Sequence, residues 1–186
     1  MTLETFERVL YLVKGYEAAG RQHELNIAGI GESTIHPQFV EFVRLARDTL
    51  PNMELTMATN GVAMTEDIAQ ELADARVKVF VSLHRPEKAG LAIEILKRHR
   101  ILHGVSADPS VAAVNWAGQV DWHVSAQPTT CMWLAMGMAI AWSDGRIGTC
   151  SFDGQGEDGV IGTVWDEPHT LFSKPYSLCK TCHMAH

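Results

Sequence analysis

Apolar residues along the first 125 positions recur in two alternating rhythms. Phe6, Val9, Leu10 and Val13 stand three and four apart, the stripe of an amphipathic helix, with Thr2 placed to cap it. The run Leu25-Asn-Ile-Ala-Gly-Ile30 reads as a short buried strand. His36-Pro37 opens a second helix, since proline is tolerated in a first turn, and Phe39, Phe42, Val43, Ala46 and Leu50 give that helix its core face. Pro51-Asn52 breaks it, and residues 55–58 follow as a strand. Thr65 starts a third helix carrying Ile68, Leu72 and Ala75. Residues 77–83, rich in Val and Phe, form the clearest strand of the chain. Residues 91–100 make a fourth helix, whose basic last turn suits the negative end of its dipole. Weaker strands are expected at 101–105 and 120–124.

Near-continuous apolar strands separated by helices imply βαβ units, and so a parallel sheet covered by helices. Ligands of such sheets gather at the carboxyl ends of the strands. Those ends read Gly29-Ile-Gly-Glu-Ser33, Thr59-Asn-Gly61 and Ser82-Leu-His84, small, polar or acidic groups three times over. After Gln127-Pro128 the pattern changes to Gly, Asp, Trp and Cys, without a clear helical period until Thr170. Trp142-Ser-Asp-Gly-Arg-Ile147 has the form of a hairpin with an Asp-Gly turn. A domain boundary is expected near residue 126.

All four cysteines of the 186 residues fall in 131–182: Cys131, Cys150 and the closing Cys179-Lys-Thr-Cys182. Thiols gathered at one end of a chain long enough to bury its own core point to a metal or cluster site rather than to structural staples. The formal charge of −7 divides as −4 over 1–125 and −3 over 126–186, and neither part carries a basic stripe, which argues against nucleic acid. The longest apolar stretch, from Cys131 to Trp142, has 12 residues and is too short for a bilayer, which takes about 20. The N-terminus lacks the basic and hydrophobic regions of a signal peptide, so a cytoplasmic protein with no membrane partner is expected, where thiols serve as ligands more often than as disulfides.

Taken in order, Gly29-Ile-Gly-Glu-Ser-Thr-Ile-His-Pro37, Ala58-Thr-Asn-Gly61 and Phe80-Val-Ser-Leu-His84 resemble the second, third and fourth strand ends of the radical S-adenosylmethionine (SAM) superfamily. Cys131, Gly145-Arg-Ile-Gly-Thr-Cys150 and Cys179-Lys-Thr-Cys182 resemble that family's SPASM/twitch appendages. The resemblance implies an α/β fold: a partial (β/α)6 barrel over 1–125 and a small Cys-rich hairpin/helix twitch-like domain over 126–186. It further implies an auxiliary [4Fe-4S] cluster on Cys131, Cys150, Cys179 and Cys182, and SAM contacts from Gly31, Glu32, Asn60 and Ser82. Complete relatives commonly oxidise or crosslink peptides and small molecules, so a peptide or small-molecule substrate is the implied partner.

The sequence also departs from the family. Its defining Cys-x3-Cys-x2-Cys loop has no counterpart, because no cysteine precedes Cys131 and the chain opens on the helix that would follow that loop. The barrel is therefore expected to lack its first strand, to cleave no SAM alone, and to associate with a second copy or with a partner that supplies the strand. No residue is assigned a catalytic role. The alternative is a non-catalytic protein, an electron relay or substrate-binding partner with a cluster or zinc on its thiols. Several residues also have ordinary readings. Glu32 could bind a substrate amine or cap the helix that follows, and Thr59-Asn60-Gly61 could be a plain turn. His36 and His84 read as surface or capping residues, His183 and His186 as bystanders, and Met132, Trp133, Met136, Met138 and Trp142 as core packing. Asp144, Asp153, Glu157 and Asp158 read as a solvated turn.

Overall fold

The structure is a computed structural model that describes residues 1–20, 24–28, 31–83, 86–106, 131–151, 153, 158–180 and 182, with the side chains of Met132 and Trp133 outside that description. The chain divides into two compact units, Leu10–Pro109 and a second made of Met1–Val9 with Ser110–His186. Helix α1 (Leu3–Ala18) contributes to both. Its cap is the expected one: Thr2 Oγ1 accepts the Thr5 N–H at 3.1 Å. The stripe Phe6, Val9, Leu10 and Val13 is buried, joined by Leu12.

The Leu10–Pro109 unit holds four parallel strands in chain order, β1 (Glu24–Asn26), β2 (Glu54–Thr59), β3 (Val77–Ser82) and β4 (Leu102–Ser106). Helices α2 (Phe39–Thr49), α3 (Glu66–Asp74) and α4 (Pro86–Arg98) connect them. The alternation read from the sequence is therefore an α/β fold with a parallel sheet. β3 explains the arrangement best. Its alternate residues Val77, Val79 and Val81 are buried, and α3 and α4 pack against the strand, while Lys78, Phe80 and Ser82 lie on the less covered face. Leu55, Met57, Leu72 and Leu96 complete the core, each worth about 1.5–3 kcal/mol of apolar burial.

Element ends differ from expectation in ways with local causes. The strand expected over 25–30 is described only to Asn26, with residues 29–30 outside the description. The helix expected from His36-Pro37 begins at Phe39, after a 3-10 turn Ser33–Ile35. His36 Nδ1 accepts the Gln38 N–H at 3.1 Å, so the histidine acts as a cap. Helix α4 starts at Pro86 instead of 91, since proline suits a first turn. The end of α2 is sealed by Arg47, which donates to the carbonyls of Ala75, Leu50, Pro51 and Met53 at 2.7–3.1 Å. The strand expected at 120–124 and the boundary near 126 lie outside the described residues.

The second unit carries α5 (Met132–Ala135) and an antiparallel sheet β5–β6–β7 (Ile140–Ala141, Arg146–Gly148, Val160–Thr163). Two 3-10 turns, Pro168–Thr170 and Ser177–Lys180, follow. The Asp-Gly hairpin is present. Asp144 Oδ1 accepts the Arg146 N–H at 3.1 Å, and that bond with the Arg146 side chain holds the Asp144 carboxyl below its ordinary range. Strand β7 was not expected. The apolar patch is only partly core, because Met136 and Met138 are exposed. Among the described residues no helix is long and apolar enough to cross a membrane.

Candidate functional site

Strand order brings three of the expected ligand-binding segments to one end of the parallel sheet. Glu32, on the connection after β1, accepts hydrogen bonds with both carboxylate oxygens. Its Oε1 takes the Thr34 N–H (3.2 Å), the Thr34 hydroxyl (2.5 Å) and the Thr59 hydroxyl (2.8 Å), and its Oε2 takes the Asn60 N–H (2.7 Å). Glu32 thus caps the 3-10 turn and ties it to the end of β2. Asn60 is also engaged locally, its Oδ1 accepting the Val62 N–H at 2.9 Å. The next residue must be glycine. Gly61 has φ +77°, and a Cβ there would stand 2.6 Å from the Ala92 Cβ, so the turn lies directly against α4. Gly31 has φ +119° with open space around it.

Ser82 ends β3 at the same edge, and its situation is different. Its Oγ is buried and has no hydrogen-bond partner. A buried hydroxyl without a partner costs free energy, and such atoms mark places where a ligand or water completes the pairing. Thr34 and Thr59, which hold Glu32, lay within the expected strand-end segments but were given no role of their own. For Thr59 no local signal marks the role, since the carboxylate it meets is 27 positions away. His84 lies outside the described residues.

The cysteines occupy the second unit. Cys131 precedes α5, Cys150 lies two residues beyond β6, Cys179 sits in the turn Ser177–Lys180 and Cys182 follows it. Cys182 is buried and the other three are half-buried. Among the described residues there is no disulfide. Tyr176 is half-buried, its ring packed over Gly159 beside Asp153. Burial first, and then the neighbouring Cys150, push the Tyr176 hydroxyl far above its ordinary pKa, so it stays protonated. Asp153 corrects the reading of a solvated turn, because it is 3% exposed and its Oδ2 accepts the Gly159 N–H at 2.9 Å. Asp144 and Asp158 are exposed as expected, and Glu157, His183 and His186 lie outside the described residues.

Four thiols with no disulfide are donor chemistry suited to an iron–sulfur cluster or to zinc. Among the described residues, no three His, Cys, Asp or Glu side chains form a group that could hold a metal ion.

The model of the radical SAM superfamily matches residues 1–134 of this chain, nearly three quarters of its length. The chain belongs to the radical SAM superfamily. The cofactors of that family are an iron–sulfur cluster and SAM. Over 96 residues the chain is 31% identical to the tungsten-containing aldehyde ferredoxin oxidoreductase cofactor-modifying protein of Pyrococcus furiosus, covering 51% of this chain and 26% of that protein. Its fold is similar to that of BtrN crystallised in complex with AdoMet and 2-DOIA. The TM-score is 0.71 at 17% identity, over 88% of this chain and 65% of BtrN. An open conformation of BtrN gives a TM-score of 0.61 over 63% of its chain. The chain thus spans between a quarter and two thirds of the radical SAM relatives it matches. The matched family region includes Cys131 and stops short of Cys150, Cys179 and Cys182.

Proposed function

We propose that this chain is the substrate-facing and auxiliary-cluster portion of a radical SAM oxidoreductase that modifies a peptide or small molecule. In this reading, residues 1–125 form a partial (β/α)6 barrel and residues 126–186 a SPASM/twitch-like domain. Cys131, Cys150, Cys179 and Cys182 hold a [4Fe-4S] cluster. Such a cluster supplies one-electron transfer close to a bound substrate. The reading is carried by Ser82. In a chain of this superfamily, its buried and unpartnered hydroxyl stands at the strand ends where SAM is held, ready to pair with a ribose or carboxylate oxygen. Gly31 and Asn60 border the same site, and Glu32 acts on it by fixing the two loops that carry them. The SAM-cleaving thiolates come from a segment or partner beyond these residues, in a cytoplasmic assembly without nucleic acid or membrane.

A second reading rests on the thiols alone, which suit zinc as well as iron and sulfur. In that reading the chain is a non-catalytic iron–sulfur or zinc protein, an electron relay or a substrate-binding subunit. Anaerobic reconstitution with iron and sulfide, with metal analysis of the wild type and four Cys→Ala variants, separates the readings. We expect about four irons and four sulfides per chain, lost in each variant. Calorimetry is expected to detect SAM binding. Stoichiometric zinc without sulfide, and no SAM binding, would leave the second reading.

A further inference from the structure

We propose that Phe80 and His103 form the seat of the substrate, and that the substrate presents an aromatic ring to it. The inference rests on the reading of this sheet as the substrate-facing part of a radical SAM site. It narrows the substrate class from any peptide or small molecule to one that carries such a ring.

Side chains alternate along a strand, so Phe80 shares one face of β3 with Lys78 and Ser82, opposite the buried valines. β3 has a strand on either side, and yet Phe80 is 39% exposed. Its neighbours in register are small: Ala58 on β2, itself exposed, and Gly104 on β4. A Cβ at Gly104 would stand 2.9 Å from Phe80 Cδ1 and 3.3 Å from Cε1, so one edge of the ring rests over the glycine. The phenyl ring thus stands above small residues on both sides.

β4 brings an imidazole to that ring. Its register with β3 passes from Leu102, opposite Val79, to Gly104, opposite Phe80, and leaves His103 as the extra residue of a bulge. Bulges are rare in parallel pairs, and they re-aim side chains beside functional sites. Here the His103 ring meets Phe80 edge-on, with centroids 5.4 Å apart and planes at 81°. His103 is exposed, and no hydrogen bond to a described residue occupies its ring nitrogens. A third ring adds to such a pair in an offset or edge-on pose, and a polar substituent on it would find an imidazole nitrogen to bond. The buried, unpartnered Ser82 hydroxyl lies two residues further along the same face, about 7 Å away along the strand. An apolar surface with a few polar groups converging on it is the make-up of a small-molecule site.

The test follows p-cresol, a bare phenol ring, on the full chain by NMR through the His103 Cε1–H signal, which is assigned by its absence in His103→Gln. We expect p-cresol to shift that signal, and 4-methylcyclohexanol, its saturated counterpart, to bind about three- to tenfold more weakly. Phe80→Leu keeps apolar volume without the ring and should weaken p-cresol by the same factor. Gly104→Ala displaces the ring edge, should weaken p-cresol too, and decides the matter if Phe80→Leu fails to fold. No shift with p-cresol, equal affinity for the two ligands, or equal affinity in wild type and variants overturns the inference. Calorimetry of SAM on the wild type tests the underlying reading separately. SAM bound with p-cresol refused removes the aromatic seat alone. Ring-dependent p-cresol binding with SAM refused keeps the seat and removes the SAM reading.

Discussion

Glu32 and Ser82 lie at the same end of one sheet and have opposite hydrogen-bonding states, which makes their variants informative together. Both oxygens of Glu32 already accept from Thr34, Thr59 and Asn60. In Glu32→Gln the amide nitrogen faces donors on whichever side it falls, at a cost of about 1–3 kcal/mol. If Glu32 acts by fixing the loops, calorimetry should find SAM and methylthioadenosine weakened by the same factor. Selective loss of SAM binding, with methylthioadenosine unaffected, would show that the carboxylate grips the methionine amine. Ser82→Ala should behave in the contrary way. Removing a buried hydroxyl with no partner relieves its desolvation, so stability in urea should hold or rise by up to about 1 kcal/mol. SAM affinity should fall about fivefold in the same variant, and an unaltered affinity would remove Ser82 from the site.

At the scale of elements, α3 is pinned to its neighbours by two carboxylates. Glu66 pairs with Arg98 at the end of α4 and with His99 beyond it, and Glu71 pairs with Arg44 on α2. The Arg98 hydrogen bond, then that of His99, lowers the Glu66 pKa below 4.5, and Arg44 does the same for Glu71. A depressed carboxylate pKa stabilises the fold fully above the unfolded value and loses that contribution as pH falls through the folded one. Melting temperature should therefore drop below about pH 4.5, and less steeply in Glu66→Gln/Glu71→Gln than in wild type. Because Glu66 is exposed and Glu71, half-buried, pairs with an exposed Arg44, the difference should be small and should shrink in salt. An identical acid limb in the two proteins would remove these pairs from the account.

Elements of this unit were readable because their signals are local. The stripe from Phe6 to Val13, the Thr65 cap (whose Oγ1 accepts the Ile68 N–H) and the valines of β3 each carry their own periodicity. Strand β7 was not readable. It has four residues including Gly162, and it exists because β6 offers it an edge, with Ile147 opposite Gly162. The site was legible in part for the same reason. Residue type alone singled out Glu32, Ser82 and the cysteines as candidates, whereas the bonds of Thr59 to Glu32 and of Asp153 to the Gly159 N–H depend on partners brought near by folding.

On the scale of the whole molecule, the parallel sheet ends at β1, which has three residues and pairs with β2 alone among the described strands. Central strands such as β3 have neighbours on both sides, and most of their backbone polar groups are satisfied within the sheet. A short edge strand leaves its outer groups to solvent, where another strand can take them up. The proteins matched are longer than the stretch matched here, and among the described strands β1 and β4 are the two edges at which this sheet could accept a further strand, β1 being the shorter. The chain alone should therefore self-associate through β1, with a mass by light scattering that rises with concentration toward twice that of one chain. Asn26→Lys places a charge on that edge and should return the protein to a single-chain mass with its far-UV circular dichroism intact. A mass of one chain at every concentration, in wild type as in the variant, would mean that the edge is already protected and that no strand partner is needed.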